Sequence, residues 1–125
     1  MTGKKRPAYL NLIRIKLPLP GVVSILHRIS GALLFLVLPF LLYVFQASLS
    51  SPAAFSSLKQ GFSHPLARLA MLVLAWAAFH HFFAGLRYLA LDMHVGAGLR
   101  QARSSSKLVL VASLALTVLT GVKLW

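Results

Sequence analysis

Two adjacent histidines, His80 and His81, interrupt an otherwise apolar run from Ala67 to Leu91, ARLAMLVLAWAAFHHFFAGLRYLAL. Ionisable side chains at bilayer depth are costly and are read as functional by default. A neutral imidazole ligates metals, relays protons and hydrogen-bonds its neighbours. Helical spacing separates the two, because residues three and four apart share a face. Around His81 these neighbours are Ala77, Ala78, Ala84 and Gly85, all small; around His80 they are Trp76, Ala77, Phe83 and Ala84, two of them bulky. A flat ligand such as a porphyrin must approach the helix closely, and only the His81 face offers that groove. His80 is expected to pack sideways or to hydrogen-bond a neighbouring helix. Adjacent side chains point about 100° apart, a poor geometry for sharing one metal ion. Helix–helix packing by the small residues, with histidine as a hydrogen-bonding strut, is the alternative that spacing leaves open.

A second polar cluster precedes the first apolar run: Ser24-Ile-Leu-His27-Arg28-Ile-Ser30-Gly31. Ser24 and Arg28 are four apart and share a face, and His27 stands one turn from Gly31. Arg87, Tyr88 and Asp92 are expected at the same level of the membrane, with His81 about 9 Å inward from Arg87 along the helix axis. A cofactor ligated by His81 would then direct acidic groups toward Arg28, His27 or Arg87, since guanidinium pairs well with carboxylates. Interfacial snorkelling is the plainer fate of arginines at helix ends.

The elements that must position these residues are transmembrane helices. Three spans are expected, at about 24–48, 66–92 and 107–124, in a single all-α domain covering 1–125. Pro39 lies inside the first. A basic leader, 1–23, carries Lys4, Lys5, Arg6, Arg14 and Lys16, and Pro18-Leu-Pro20-Gly21 is expected to break any helix there. Residues 48–65, with Ser48-Leu-Ser-Ser-Pro52, read as a turn-rich connector. A glycine- and arginine-containing loop follows Asp92.

Composition agrees. The chain of 125 residues is 58% hydrophobic and 11% charged, as expected of an integral membrane protein. It has no cysteine, which excludes thiolate-ligated metal sites within it. Thirteen Lys and Arg stand against one acid, Asp92. Because these cations lie between apolar spans, they indicate a membrane surface rather than nucleic acid. Three spans place ten basic residues with the N-terminus and the second loop. Only Lys59, Arg68 and Lys123 fall on the other side. The N-terminus is therefore expected in the cytoplasm, or its organellar equivalent; for a bacterial inner membrane, the expected location, the C-terminus is then periplasmic.

With these residues in view, the chain resembles the cytochrome b subunit of succinate dehydrogenase, one of two membrane anchors of respiratory complex II. Arg6-Pro7, Ile13-Arg14, the Ser24 to Gly31 cluster, Ser48 to Pro52 and His81-x-x-x-Gly85-Leu86-Arg87 with Asp92 carry the match, in order, over nearly the whole chain. The resemblance implies a haem b shared with a second anchor subunit, each giving one histidine, here His81. It implies that His27, Arg28, Gly85 and Arg87 lie near the haem, and that Ser24 and Arg28 line a ubiquinone site beside the iron–sulfur subunit. Electrons would come from succinate through a flavoprotein subunit, so the chain is not an enzyme alone. Where many members carry histidine after the arginine of the second-span motif, this chain has Tyr88. Tyr88 and Asp92 are candidates for a proton path, with an Asp92 ion pair to Arg87 or Arg100 the favoured alternative. The same architecture serves a fumarate reductase anchor. A small transporter or assembly subunit without haem is the rival from another class, though it lacks acids at depth.

Overall fold

The computed structural model describes residues 16–125, and all regular structure among them is helical. The elements are α1 (Leu19–Ser50), α2 (Pro52–Phe62), α3 (Pro65–Asp92) and α4 (Leu99–Leu124). As expected, three of them, α1, α3 and α4, are long and apolar enough to cross a membrane, with 32, 28 and 26 residues. At about 1.5 Å per residue, each exceeds the ~30 Å hydrocarbon core, so their ends reach the headgroup layers.

The boundaries depart from expectation in three places. Helix α1 begins at Leu19, so Pro18-Leu-Pro20-Gly21 starts the helix instead of preventing it. A proline in the first turn gives up an N–H that has no intrahelical partner in any case. The Pro18 carbonyl accepts from the N–H groups of Gly21 at 2.8 Å and Val22 at 3.2 Å. The basic leader is thereby shortened to end at Pro18. Its residues 1–15, with the expected surface path, lie outside the described residues.

The connector is not a plain loop, because most of it forms α2. Ser51 caps this helix by accepting from the Ala54 N–H at 3.1 Å, and Pro52 occupies its first turn. His64 and Pro65 repeat the device for α3, where His64 Nδ1 accepts from the Leu66 N–H at 3.2 Å. Each Xaa-Pro pair is a helix start, since the residue before proline avoids helical φ/ψ while proline itself is pre-set for the first turn.

Finally, α4 begins at Leu99 instead of 107 and absorbs the arginines and serines assigned to a loop. The break before it is real: His94 and Gly96 adopt positive φ, 61° and 79°, which reverses the chain. After Gly98 nothing forbids helix, and Ser105 and Ser106 return their hydroxyls to the Ala102 carbonyl at 3.2 and 2.7 Å.

Helix α3 is central, packing against both α1 and α4, which also meet each other. Packing is inverted relative to a water-soluble protein. Phe35, Leu36 and Leu99 are 76%, 74% and 80% exposed, whereas Ser30, His80, Ser106 and Ser113 are fully buried. Lipid solvates apolar side chains as well as a core does, so small and polar residues take the helix interfaces. The apolar core is correspondingly slight: Val23, Ala84 and Val109, flanked by Phe83, Tyr88 and Leu110. Ala84→Leu should overpack it and destabilise the bundle by about 1–3 kcal/mol, read as a lower denaturant midpoint in detergent micelles.

Candidate functional site

The candidate site is a contact between α3 and α1. The His81 imidazole lies over the backbone of α1 at Gly31, where an added Cβ would stand 2.8 Å from Cε1 and 3.2 Å from Nδ1. No side chain larger than hydrogen fits there without displacing the ring. His27 completes the enclosure, stacked on His81 with centroids 4.3 Å apart and planes inclined by 16°. Gly85 faces His27 from α3, with a built Cβ 3.8 Å from His27 Nε2.

Hydrogen bonding orients the ring. His81 Nδ1 is 3.2 Å from the His27 carbonyl oxygen, which only accepts, so the proton is assigned to Nδ1. Ser30 Oγ donates to the same carbonyl at 2.9 Å and lies 3.5 Å from Nδ1. With Nδ1 protonated, the lone pair of His81 belongs to Nε2. This arrangement, one nitrogen free and the other donating to a backbone carbonyl, is one that suits a metal-ligating histidine.

The groove expected on α3 itself is divided. Ala77 and Ala84 are buried in the helix interfaces, Ala78 is exposed, and only Gly85 borders the histidine pair. The close approach depends on Gly31 of the opposite helix. Ser30 and Gly31 were present in the sequence cluster, but their effect on His81 depends on which turn of α1 meets α3. His80 is wholly buried and stacks on Trp76 at 5.3 Å. Of the two expected arrangements it shows sideways packing, and neither ring nitrogen has a well-formed hydrogen bond among the described residues.

The remaining candidates separate into two groups. Ser24 (half-buried) and Arg28 (exposed) share one row of α1 with Gly31, so they continue from the His81 contact toward the basic end. Tyr88 lies tilted against His27 at 5.2 Å, and its buried hydroxyl has no partner among the described residues. Arg87, by contrast, faces α4, where its Nε donates to Ser105 Oγ at 3.0 Å. It is not brought to the His27–His81 stack, and touches that group only through the Tyr88 ring, 5.4 Å from its guanidinium carbon. Asp92 is exposed at the end of α3, and neither Arg87 nor Arg100 approaches it within salt-bridge distance. Among the described residues no three metal-ligating side chains converge.

Residues 2–120 match the family of succinate dehydrogenase/fumarate reductase transmembrane subunits. The chain belongs to this family. A succinate dehydrogenase cytochrome b556 subunit of Coxiella burnetii is 36% identical over 97% of this chain and 98% of its own length. Its counterpart in Paracoccus denitrificans is 32% identical over 92% of this chain and 88% of that one, and the one in Rickettsia felis 27% identical over 94% and 92%. Membership as a transmembrane subunit accords with the three spanning helices.

Gly31→Ala should destabilise the α1–α3 contact by about 1–3 kcal/mol, because either the ring or the helix must move. Gly21→Ala, whose built Cβ meets nothing closer than 3.7 Å, should leave the denaturant midpoint nearly unchanged. Equal effects would show that the Gly31 contact is not specific.

Proposed function

We propose that this chain is the cytochrome b anchor of a bacterial succinate:ubiquinone oxidoreductase, in which His81 would be one of the residues that hold haem b. The observation that carries the proposal is the Nδ1 contact to the His27 carbonyl, which leaves Nε2 of His81 as the basic nitrogen. The residues present fit such a group, since the ring is pinned by stacking and by Gly31, and its ligating tautomer is set by the backbone. Neither α1 nor α4 offers a second histidine opposite His81: His27 is occupied in the stack, and α4 contains none. The other ligand therefore belongs to a second anchor subunit. The relatives' name, cytochrome b556 subunit, supports the same cofactor.

Bound haem supplies one-electron storage within the membrane. The work of the chain is binding and electrostatics. His27 and Arg28 would help hold the haem, with Arg28 available to pair with one of its carboxylates. Ser24 and Arg28 form the chain's part of the quinone site. Reduction of ubiquinone to ubiquinol takes two electrons and two protons. The Ser24 hydroxyl donates a hydrogen bond to one carbonyl oxygen, and the Arg28 cation stabilises negative charge as it develops on the other. The electrons arrive from succinate through flavoprotein and iron–sulfur subunits, docked at the basic end of the bundle. That end faces the cytoplasm, because ten basic residues against three orient the spans. Relatives named for succinate dehydrogenase favour succinate oxidation over the fumarate-reducing direction.

His81→Ala should remove the b-type bands from the reduced-minus-oxidised spectrum of the purified complex, whereas His80→Ala should retain them. Bands unchanged in His81→Ala would reject the ligand assignment. Arg28→Ala should lower quinone reduction by about 10²-fold or more, the range for loss of one charge-stabilising donor. Succinate oxidation by a soluble artificial acceptor should stay intact. Equal loss of both activities would indicate failed assembly instead.

A further inference from the structure

We propose that the cavity between the basic ends of α3 and α4 binds an anionic glycerophospholipid whose phosphate pairs with Arg87. Arg87 is only 9% exposed and lies within the membrane-spanning bundle. Its Nε uses the Ser105 hydroxyl, and the guanidinium lies near the Tyr88 ring. Neither neighbour is negatively charged. The whole sequence contains one acid, Asp92, five residues on and thus roughly 140° around α3. It is exposed and unpaired with Arg87, so this chain has no counter-ion for its buried cation. A buried charge of this kind needs an anion beside it.

The cavity that Arg87 lines has a volume of about 600 Å³, within the range of small-molecule sites. It is amphiphilic along the membrane normal. Gln101, Ser104 and Ser105 line it toward the basic end, while Phe83, Leu108 and Ala112 line it toward the bilayer centre. Arg100, Arg103 and Lys107, exposed and adjacent in sequence to the lining residues Gln101, Ser104 and Leu108, add positive charge at this end of α4. Basic pockets between helices at a membrane face suit phospholipid headgroups, with acyl chains continuing along the apolar wall. A carboxylate from a partner protein would satisfy the arginine but would leave the deep apolar arm unexplained. The haem assignment is independent of this cavity, which lies on the other side of α3.

Native mass spectrometry of the purified complex, titrated with dioleoylphosphatidylglycerol or dioleoylphosphatidylcholine, tests the proposal. The wild type should retain the anionic lipid about tenfold better, and Arg87→Gln should abolish that preference, the loss expected for one charge-assisted contact. Arg87→Lys should keep part of it. Ala112→Trp, which fills the apolar arm and leaves the arginine in place, should also weaken retention, and it carries the test if Arg87→Gln does not assemble. Equal retention of both lipids by the wild type, or retention of phosphatidylglycerol unchanged in Arg87→Gln and Ala112→Trp, would overturn the proposal. So would an Arg87→Gln variant whose haem absorption shifts while lipid retention stays the same, because the arginine would then serve a haem carboxylate.

Discussion

The His27 carbonyl oxygen is the hub of the bundle's polar interior. It accepts from Ser30 Oγ and from His81 Nδ1, joining α1 to α3. Inside a membrane no water competes for that oxygen, so its partners are held by geometry and by the cost of leaving them unpaired. The stacked His27 ring then covers one face of the half-buried imidazole, and the bare Cα of Gly31 lies nearest its Cε1 and Nδ1. One backbone atom and one absent side chain thus decide which nitrogen of His81 is basic and where α3 meets α1.

The rest of the fold follows from the same scarcity of polar partners. Serines and threonines of α4 return their hydroxyls to carbonyls three or four residues back, as Ser113, Thr117 and Thr120 do. These helices therefore carry polar residues at their interfaces without needing cross-helix bonds at each position. Two groups escape the rule, the His80 imidazole and the Tyr88 hydroxyl, which have no partner among the described residues. The third exception is electrostatic. Arg87 is hydrogen-bonded yet has no acid of this chain beside it, because the one acid, Asp92, is exposed and lies beyond salt-bridge distance.

The two faces of α3 consequently serve different ends. Toward α1 stand His81, Gly85 and Tyr88, grouped with His27. Toward α4 stands Arg87, with Ser105 and the amphiphilic cavity. Residues only six apart in sequence are thereby assigned to separate sites. Helical rotation makes this possible, since six residues turn the helix by roughly 240°.

Much of the architecture was legible in the sequence. Three long apolar runs specified three spans, because only helices satisfy the backbone in lipid. Small neighbours at helical spacing single out His81, but the groove they predict is divided between the helix interfaces and the close approach comes from Gly31. Local rules also mislead: Pro18 and Pro20 read as helix breakers and Pro52 as part of a turn-rich connector reaching Pro65, though each proline sits at a helix start where its missing N–H is harmless. The arginines and serines after Gly98 read as loop in the sequence, although polar residues extend a helix readily once it reaches the headgroup layer. What the sequence by itself determined is the membrane class, the number of spans and the histidine to consider. Tertiary structure alone decided that Gly31 admits its ring, that the His27 carbonyl sets its tautomer and that Arg87 turns toward α4. These depend on the rotation and offset of one helix against another, and neither is encoded in the spacing within a single helix.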